Sequence, residues 1–223
     1  MFIGHYALAL AAKRAAPRAS LGTLFIAATL ADLLWPILLL LGWEHSHVVP
    51  GPNPFLILYL DDIRYSHGLF MLIIWGALFG YLYLKRRGNQ RAAVVIGLLV
   101  VSHWLLDFIT HRPDMPIYPG SPTVGLGLWN SPVATIVVEA LMLSVGVAMY
   151  TRVTRARDAI GRWGFGALVA LLAISYVVTS NAPPPPSQPA LAVSAIIFGW
   201  LFVLLAWWAD RHREAMPASI PML

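Results

Sequence analysis

The sequence predicts an all-α integral membrane protein, folded as one transmembrane domain over residues 1–223 with about six membrane-spanning helices. Hydrophobic residues make up 59% of the chain and charged residues 11%, whereas soluble proteins carry about 25% charged residues. So few charges cannot cover the surface of a soluble globule of this length, which excludes a soluble nucleic-acid-binding protein. The chain contains no cysteine, so disulfides, thiolate zinc sites and cysteine nucleophiles are excluded.

Six apolar runs are long enough to span a bilayer, because about 20 helical residues cross ~30 Å of hydrocarbon. The predicted spans are 21–43, 67–84, 92–111, 133–150, 163–180 and 191–209. A further apolar stretch, Phe2–Ala12, has only about 11 residues and is too short to span. We expect it to form a short helix that dips into the bilayer from the cytoplasmic side as a re-entrant element, or lies at the interface.

The basic residues predict the orientation of these spans. Thirteen of the 15 Lys and Arg residues fall in the N-terminal segment, in the connections after the second and fourth spans, or after the sixth span. Only Arg64 and Arg112 fall on the other side. Because positive residues are enriched on the cytoplasmic side, we expect a multi-pass membrane protein with both termini in the cytoplasm.

Ionisable residues inside the predicted spans are the first functional candidates, since such residues are costly in a membrane and usually serve a function. They are Asp32, His103, Asp107 and Glu139, with His67 and His111 at the outer ends of their spans. Their depths follow from counting ~1.5 Å per helical residue from the nearest inner charge. This places five of them, on four different helices, in one layer of the outer half of the bilayer: Asp32, His67, His103, Asp107 and Glu139. Residues in one layer can meet.

His103, Asp107 and His111 form the densest group, because their spacing of four residues places them on one helix face. Imidazole and carboxylate groups one turn apart suit zinc or a similar divalent ion. A proton relay or a hydrogen-bonded structural pair is the alternative. His111 is the least secure member, because Arg112-Pro113 is expected to end the helix there.

A charge argument favours a cation. The predicted spans contain the carboxylates of Asp32, Asp107 and Glu139 but no Lys or Arg. Buried carboxylates must be protonated, paired or bound to metal. Histidines or a divalent cation are the candidate partners within the spans, and the divalent cation compensates the charge best.

The remaining candidates carry separate roles. Ser66 is a candidate N-cap for the second span, and the helix N-terminus favours the neutral, metal-binding form of His67. Asp32 lies one turn before Pro36. Because proline has no backbone N–H, the Asp32 carbonyl group is left without its helical hydrogen bond. Glu139 can act as a ligand, a general base or a protonated packing residue. The outer-loop residues, among them His45, His47, Asp61 and Asp62, are expected to be solvated.

The order of these motifs resembles the membrane-bound metal-dependent hydrolases of bacteria and archaea, the YdjM-like family. Gly4-His5, Asp32, Ser66-His67 and His103-x-x-x-Asp107 precede a proline-containing loop, within roughly the first 120 residues. The resemblance implies a hydrolase located in the bacterial or archaeal cell inner membrane, and it adds His5 to the candidate ligands. The chain departs from the family pattern where Pro-Asp-x-Asp is replaced by residues 31–34, Ala-Asp-Leu-Leu, and where His-Arg is replaced by residues 63–65, Ile-Arg-Tyr.

We therefore expect a metal-dependent hydrolase that acts on a phosphoester or other lipid-linked ester in the outer half of the bilayer. The expected partner is a membrane lipid or lipid-linked substrate and the expected cofactor a divalent ion, zinc by preference. The expected ligands are His103, Asp107, His67, His5 and His111, with Glu139 and Asp32 as catalytic carboxylates. An ion- or proton-coupled transporter or channel and a non-catalytic scaffold are the alternatives.

The basic-residue asymmetry predicts the outcome of reporter fusions. Fusions after Arg87 and after Arg157 should report cytoplasm, whereas fusions within Gly51–Asn53 and Pro183–Pro186 should report the outside. An outside signal at Arg157 would overturn the six-span topology and move the ionisable layer to the other leaflet.

Overall fold

The computed structural model describes residues 1–49, 51 and 53–216, and it confirms the all-α membrane class. Five of its helices are long and apolar enough to cross a membrane, and a bent pair of shorter helices makes six when the pair is counted as one span. The helices are α1 (Ile3–Ala12), α2 (Leu21–Ala28), α3 (Leu30–Leu40), α4 (Leu69–Arg87), α5 (Gln90–Thr110), α6 (Pro132–Val153), α7 (Ala159–Thr179) and α8 (Gln188–Arg211). The bent pair is α2 and α3.

Three short antiparallel hairpins, which the sequence did not predict, close the connections. They pair β1 (His45–Val48) with β2 (Leu58–Asp62), β3 (Met115–Pro116) with β4 (Thr123–Val124), and β5 (Thr154–Ala156) with β6 (Arg213–Ala215). The first two hairpins lie in the predicted outer loops. The third joins the residues after α6 to those after α8, so the C-terminal ends of these two helices meet.

The first predicted span consists of two helices joined at a bend whose position the sequence did not predict. The chain breaks at Thr29, between α2 and α3, and bends by 58°. The Thr29 hydroxyl donates to the Phe25 carbonyl at 2.9 Å, a back-bond that bends helices. Pro36, which the sequence marked as the irregular position, lies inside α3.

The N-terminal helix α1 lies inside the bundle. It packs against α6, α2 and α5, and Ala9 and Leu10 are fully buried. A Cβ added at Gly146 of α6 would lie 2.4 Å from the Ala7 carbonyl oxygen, so only glycine allows this approach of α1 to α6. A helix lying at the interface would leave one face free of protein contact.

A buried ion pair fixes the C-terminal end of α1. Lys13 Nζ lies 2.8 and 2.9 Å from the two carboxylate oxygens of Asp210 on α8. Asp210 also accepts hydrogen bonds from the Tyr150 hydroxyl at 2.7 Å and the Leu21 N–H at 2.9 Å. The carboxylate is thus paired and hydrogen-bonded, as a buried ion pair requires. With one end anchored here, α1 extends into the bundle toward the ionisable layer.

Helices α4 and α5 pack closely through small residues, as membrane helices commonly do. A Cβ added at Gly76 would lie 2.6 Å from the Gly97 carbonyl oxygen, and one added at Gly80 would lie 2.8 Å from the Ala93 carbonyl oxygen. These backbone atoms cannot rotate away as a side chain could. The approach positions the C-terminal half of α5, which carries His103 and Asp107.

The close approach predicts that Gly76→Ala lowers the free energy of unfolding by about 1–3 kcal/mol, because the added methyl group overpacks a backbone contact. Gly166→Ala on α7 is the matched control, since a Cβ there meets no atom within 4 Å, and it should be neutral or stabilising. Denaturant unfolding of both variants in detergent measures the difference. Equal effects would show that the α4–α5 contact is not tight.

Candidate metal centre

Five of the predicted site residues meet in one cluster, built by four separate parts of the chain. The donor atoms form two overlapping groups, each within 4.8 Å, and His103 belongs to both. The first group is His5, His103 and Asp107, and the second is Asp32, His67 and His103. The sequence predicted that residues of several helices share one layer. In the structure, the side chains of these five residues lie close together.

Asp107 is the centre of the cluster, and its two oxygen atoms face different histidines. Oδ2 lies 3.0 Å from His103 Nε2 and 3.9 Å from His67 Nε2. Oδ1 lies 3.1 Å from His5 Nε2 and 4.0 Å from His111 Nε2. The carboxylate is almost completely buried. The Asp107 carboxylate therefore lies among four imidazole rings.

His103 is oriented by the break in the first span. Its Nδ1 lies 2.8 Å from the Ala28 carbonyl oxygen, in the last residue of α2. A carbonyl oxygen only accepts, so Nδ1 carries the hydrogen. In neutral His103 the Nε2 lone pair then faces the cluster. That Nε2 is buried and has no hydrogen-bond partner among the described residues, although Asp107 Oδ2 is only 3.0 Å away.

Asp32 is the exposed member of the cluster. Its Oδ1 lies 3.5 Å from His67 Nε2 and 3.7 Å from His103 Nε2. The Asp32 side chain is 48% exposed, whereas those of His67 and His103 are 6% and 0% exposed. The cluster therefore opens on the side of α3.

His5 approaches from the opposite side, at the N-terminal end of α1. Its ring stacks on that of His103, with centroids 3.8 Å apart and planes inclined by 5°. Two positively charged imidazolium rings stacked in this way would repel each other, so at most one of the two rings is expected to be charged. The Met1 amino group beside it contacts Asp107 Oδ1 and lies 3.2 Å from the Thr110 hydroxyl.

His111 lies at the edge of the cluster, because α5 ends at Thr110 and His111 is its C-cap. Its Nδ1 lies 3.0 Å from Asp114 Oδ1, so the loop after α5 orients the ring. The sequence analysis gave Asp114 no role. The available signal was a carboxylate three residues after His111, but the loop geometry that brings the two side chains together was not predictable.

Glu139 contacts α1 rather than the imidazoles. Its Oε2 accepts hydrogen bonds from the Phe2 N–H at 2.9 Å and the Gly4 N–H at 3.0 Å, two groups that the start of a helix leaves without partners. Glu139 thus caps α1 and holds the helix that carries His5. Its other oxygen has no hydrogen-bond partner among the described residues.

Glu44 is a site residue that sequence reasoning missed. It lies in the predicted outer loop but is completely buried, and it accepts hydrogen bonds from the Tyr65 and Ser66 N–H groups, both at 2.8 Å. The predicted N-cap role of Ser66 is wrong, because Gly68 is the N-cap of α4. The Ser66 hydroxyl instead contacts Glu44 and His67. An acid directly after an apolar run was the available signal.

His47 and Asp61 behave as solvated groups, as expected for the outer loop. His47 and Asp61 form a pair at 2.6 Å on the β1–β2 hairpin, and their side chains are 52% and 47% exposed. They provide a matched control for the buried imidazole–carboxylate contacts.

The capping contacts predict the consequence of changing Glu139. Glu139→Ala should destabilise the protein by about 1–3 kcal/mol, because two buried N–H groups lose their acceptor. Glu139→Gln keeps a carbonyl acceptor and should retain most of that stability. Thermal unfolding in detergent measures both. Equal losses in the two variants would indicate that hydrogen bonding to α1 is not what Glu139 contributes.

Comparison of the chain with protein-family models, curated proteins and solved structures found no match. The resemblance to the YdjM-like hydrolases accordingly rests on the motifs in the sequence, and it enters the interpretation below as a proposal.

Proposed function

We propose that the protein is a metal-dependent hydrolase whose divalent ion, zinc by preference, is held by His67, His103 and Asp107. The observation that carries this proposal is the buried Nε2 atom of His103. It presents a lone pair, has no hydrogen-bond partner among the described residues, and lies 3.0 Å from a carboxylate oxygen. Two electron-rich atoms that face each other without a hydrogen bond are stabilised by a shared cation.

The distances suit such an ion. Zinc bonds to nitrogen and oxygen are about 2.0–2.2 Å long, so neighbouring donor atoms around a tetrahedral ion lie about 3.3 Å apart. Asp107 Oδ2 lies 3.0 Å from His103 Nε2 and 3.9 Å from His67 Nε2. Three protein ligands with an open fourth position are typical of catalytic rather than structural zinc.

Asp32 is the better candidate for the catalytic carboxylate than Glu139. It lies within 3.7 Å of two proposed ligands and is half exposed, so it can contact both the ion's surroundings and an entering molecule. A bound metal lowers the pKa of its water and polarises an ester. Asp32 would orient that water and accept its proton, while Glu139 would support the site through α1.

A lipid-linked phosphoester remains the substrate class that fits best. The exposed residue of the cluster, Asp32, lies on α3, which also exposes the apolar side chains of Ile37 and Leu40. An ester group attached to a lipid tail can reach the cluster along such a surface without leaving the membrane.

One observation favours a second function, an ion- or proton-coupled transporter. The bend between α2 and α3 interrupts a span beside the cluster, and interrupted helices form the ion sites of many transporters. The released Ala28 carbonyl, however, is occupied by His103, so this carbonyl supports an imidazole rather than facing the cluster as an ion ligand.

Turnover separates the two functions. A hydrolase should release product from a lipid phosphoester panel in detergent, without any gradient, and a chelator should abolish the activity. A transporter needs sealed vesicles to move its ion. Uptake into proteoliposomes, without product from a broad ester panel, would overturn the enzyme proposal.

The metal proposal predicts that His103→Ala and Asp107→Asn each remove most of the bound metal. Ligands of one ion act as a unit, so the double variant should be scarcely worse than either single variant. His45→Ala and His47→Ala are the controls, because these residues lie on the exposed hairpin, and they should leave the metal content unchanged.

Asp107→Asn discriminates best, because it preserves shape while removing the charge that needs a cation. Metal analysis and thermal stability of the purified variant provide the readout. If Asp107 served only in packing, the variant would keep or gain stability and its metal content would not change. That result, or a parent protein that binds no metal, would contradict the proposal.

A further inference from the structure

We propose that Glu44 is a positioning residue that acts through Ser66 to hold His67 in the tautomer with its lone pair on Nε2. The inference rests on the proposed function in one respect, because the oriented lone pair is the one offered to the metal. The hydrogen-bond chain itself does not depend on a metal. Neither Glu44 nor the hydroxyl of Ser66 is expected to touch the ion or the substrate.

The three groups form a continuous buried chain. The Ser66 hydroxyl lies 2.6 Å from Glu44 Oε2 and 2.7 Å from His67 Nδ1. Glu44 and Ser66 are completely buried, and His67 is 5% exposed. On the far side of the ring, His67 Nε2 faces Asp32 Oδ1 at 3.5 Å. The chain therefore connects a carboxylate outside the cluster to the cluster itself.

The donor and acceptor at each hydrogen bond of this buried chain follow from the number of available hydrogen atoms. Glu44 accepts from two backbone N–H groups as well as from the hydroxyl, so it is an acceptor at every contact. The single hydroxyl hydrogen of Ser66 must then point to Glu44. The Ser66 oxygen is left to accept from His67 Nδ1–H. Neutral His67 consequently has no hydrogen on Nε2.

A purely structural role for Glu44 would require only its hydrogen bonds to backbone N–H groups. The Tyr65 and Ser66 N–H groups both donate to Oε1, which is enough to fix the turn before α4. The contact of Oε2 with the Ser66 hydroxyl adds nothing to that turn, yet it sets the direction of the hydrogen bond to His67. The two roles reside on different oxygen atoms and can be separated by one substitution.

Glu44→Gln separates them. Its amide oxygen can replace Oε1 and keep both backbone hydrogen bonds, which places the amide NH₂ group opposite Ser66. That group donates, so the Ser66 hydroxyl must reverse and donate to His67 Nδ1. The hydrogen of neutral His67 then moves to Nε2, the atom that faces the cluster. The flipped amide would set NH₂ against two N–H donors and is disfavoured.

The first experiment reads the tautomer of His67 by ¹⁵N NMR of the metal-free full-length protein at about pH 9, where an ordinary imidazole is neutral. A His67→Asn variant identifies the signal. The parent should be protonated at Nδ1, and Glu44→Gln should be protonated at Nε2. Protonation of the parent at Nε2, or an unchanged tautomer in Glu44→Gln, would overturn the proposal. The parent measurement decides even if the variant does not fold.

The second experiment measures zinc affinity. Supporting partners of metal-bound histidines contribute about 10–100-fold to affinity, so Glu44→Gln should weaken zinc binding by that factor. Asp61→Asn is the matched control: it makes the same carboxylate-to-amide change on the hairpin that follows Glu44, next to exposed His47, and should leave the affinity unchanged. Equal affinities of Glu44→Gln and the parent would overturn the proposal.

The two readouts distinguish failure of this inference from failure of the proposed function. A parent that binds no zinc but shows Nδ1–H on His67, reversed in Glu44→Gln, supports the positioning chain and contradicts the metal centre. A parent that binds zinc but has Nε2–H in its metal-free form contradicts the positioning chain alone.

Discussion

The burial of the Asp107 carboxylate is the constraint on which the rest of the structure depends. In a low-dielectric interior a carboxylate needs compensation. The predicted spans contain no Lys or Arg to supply it, and the Met1 amino group contacts one of its two oxygen atoms. Three irregular features of the chain converge on this one group: the buried helix α1 with His5, the break that positions His103, and the turn before α4 with His67. Each would be difficult to explain in a bundle with an apolar centre.

The broken first span shows how backbone irregularity and site geometry depend on each other. Non-helical backbone at membrane depth is tolerated where protein buries it and satisfies its polar groups. The break at Thr29 releases the Ala28 carbonyl, and His103 Nδ1 satisfies it at 2.8 Å. The same contact selects the His103 tautomer. A regular helix from residue 21 to residue 43 would leave His103 without this partner.

The sequence was sufficient for features that depend on local pattern. Apolar run length predicted the spans, and four-residue spacing predicted that His103 and Asp107 share a face. It was insufficient for the position of the break, because Pro36 is a stronger local signal than Thr29, whose effect depends on tertiary contacts. Glu44 was missed, and the contacts of Glu139 were not predicted, for a related reason: their partners, Ser66 and Gly4, lie 22 and 135 residues away.

The way the imidazoles are held argues for a cation more strongly than their proximity does. His103, His67 and His111 are each held through Nδ1, by the Ala28 carbonyl, by the Ser66 hydroxyl and by Asp114 respectively. Each Nε2 is thereby directed toward the carboxylates of the cluster. Asp107 Oδ1 accepts from the Met1 amino group and lies 3.1 Å from His5 Nε2, as in a hydrogen-bonded network. The other three imidazoles, when neutral and held in this way, instead place lone pairs opposite carboxylate oxygens. Metal-binding histidines are oriented through their second nitrogen in the same manner.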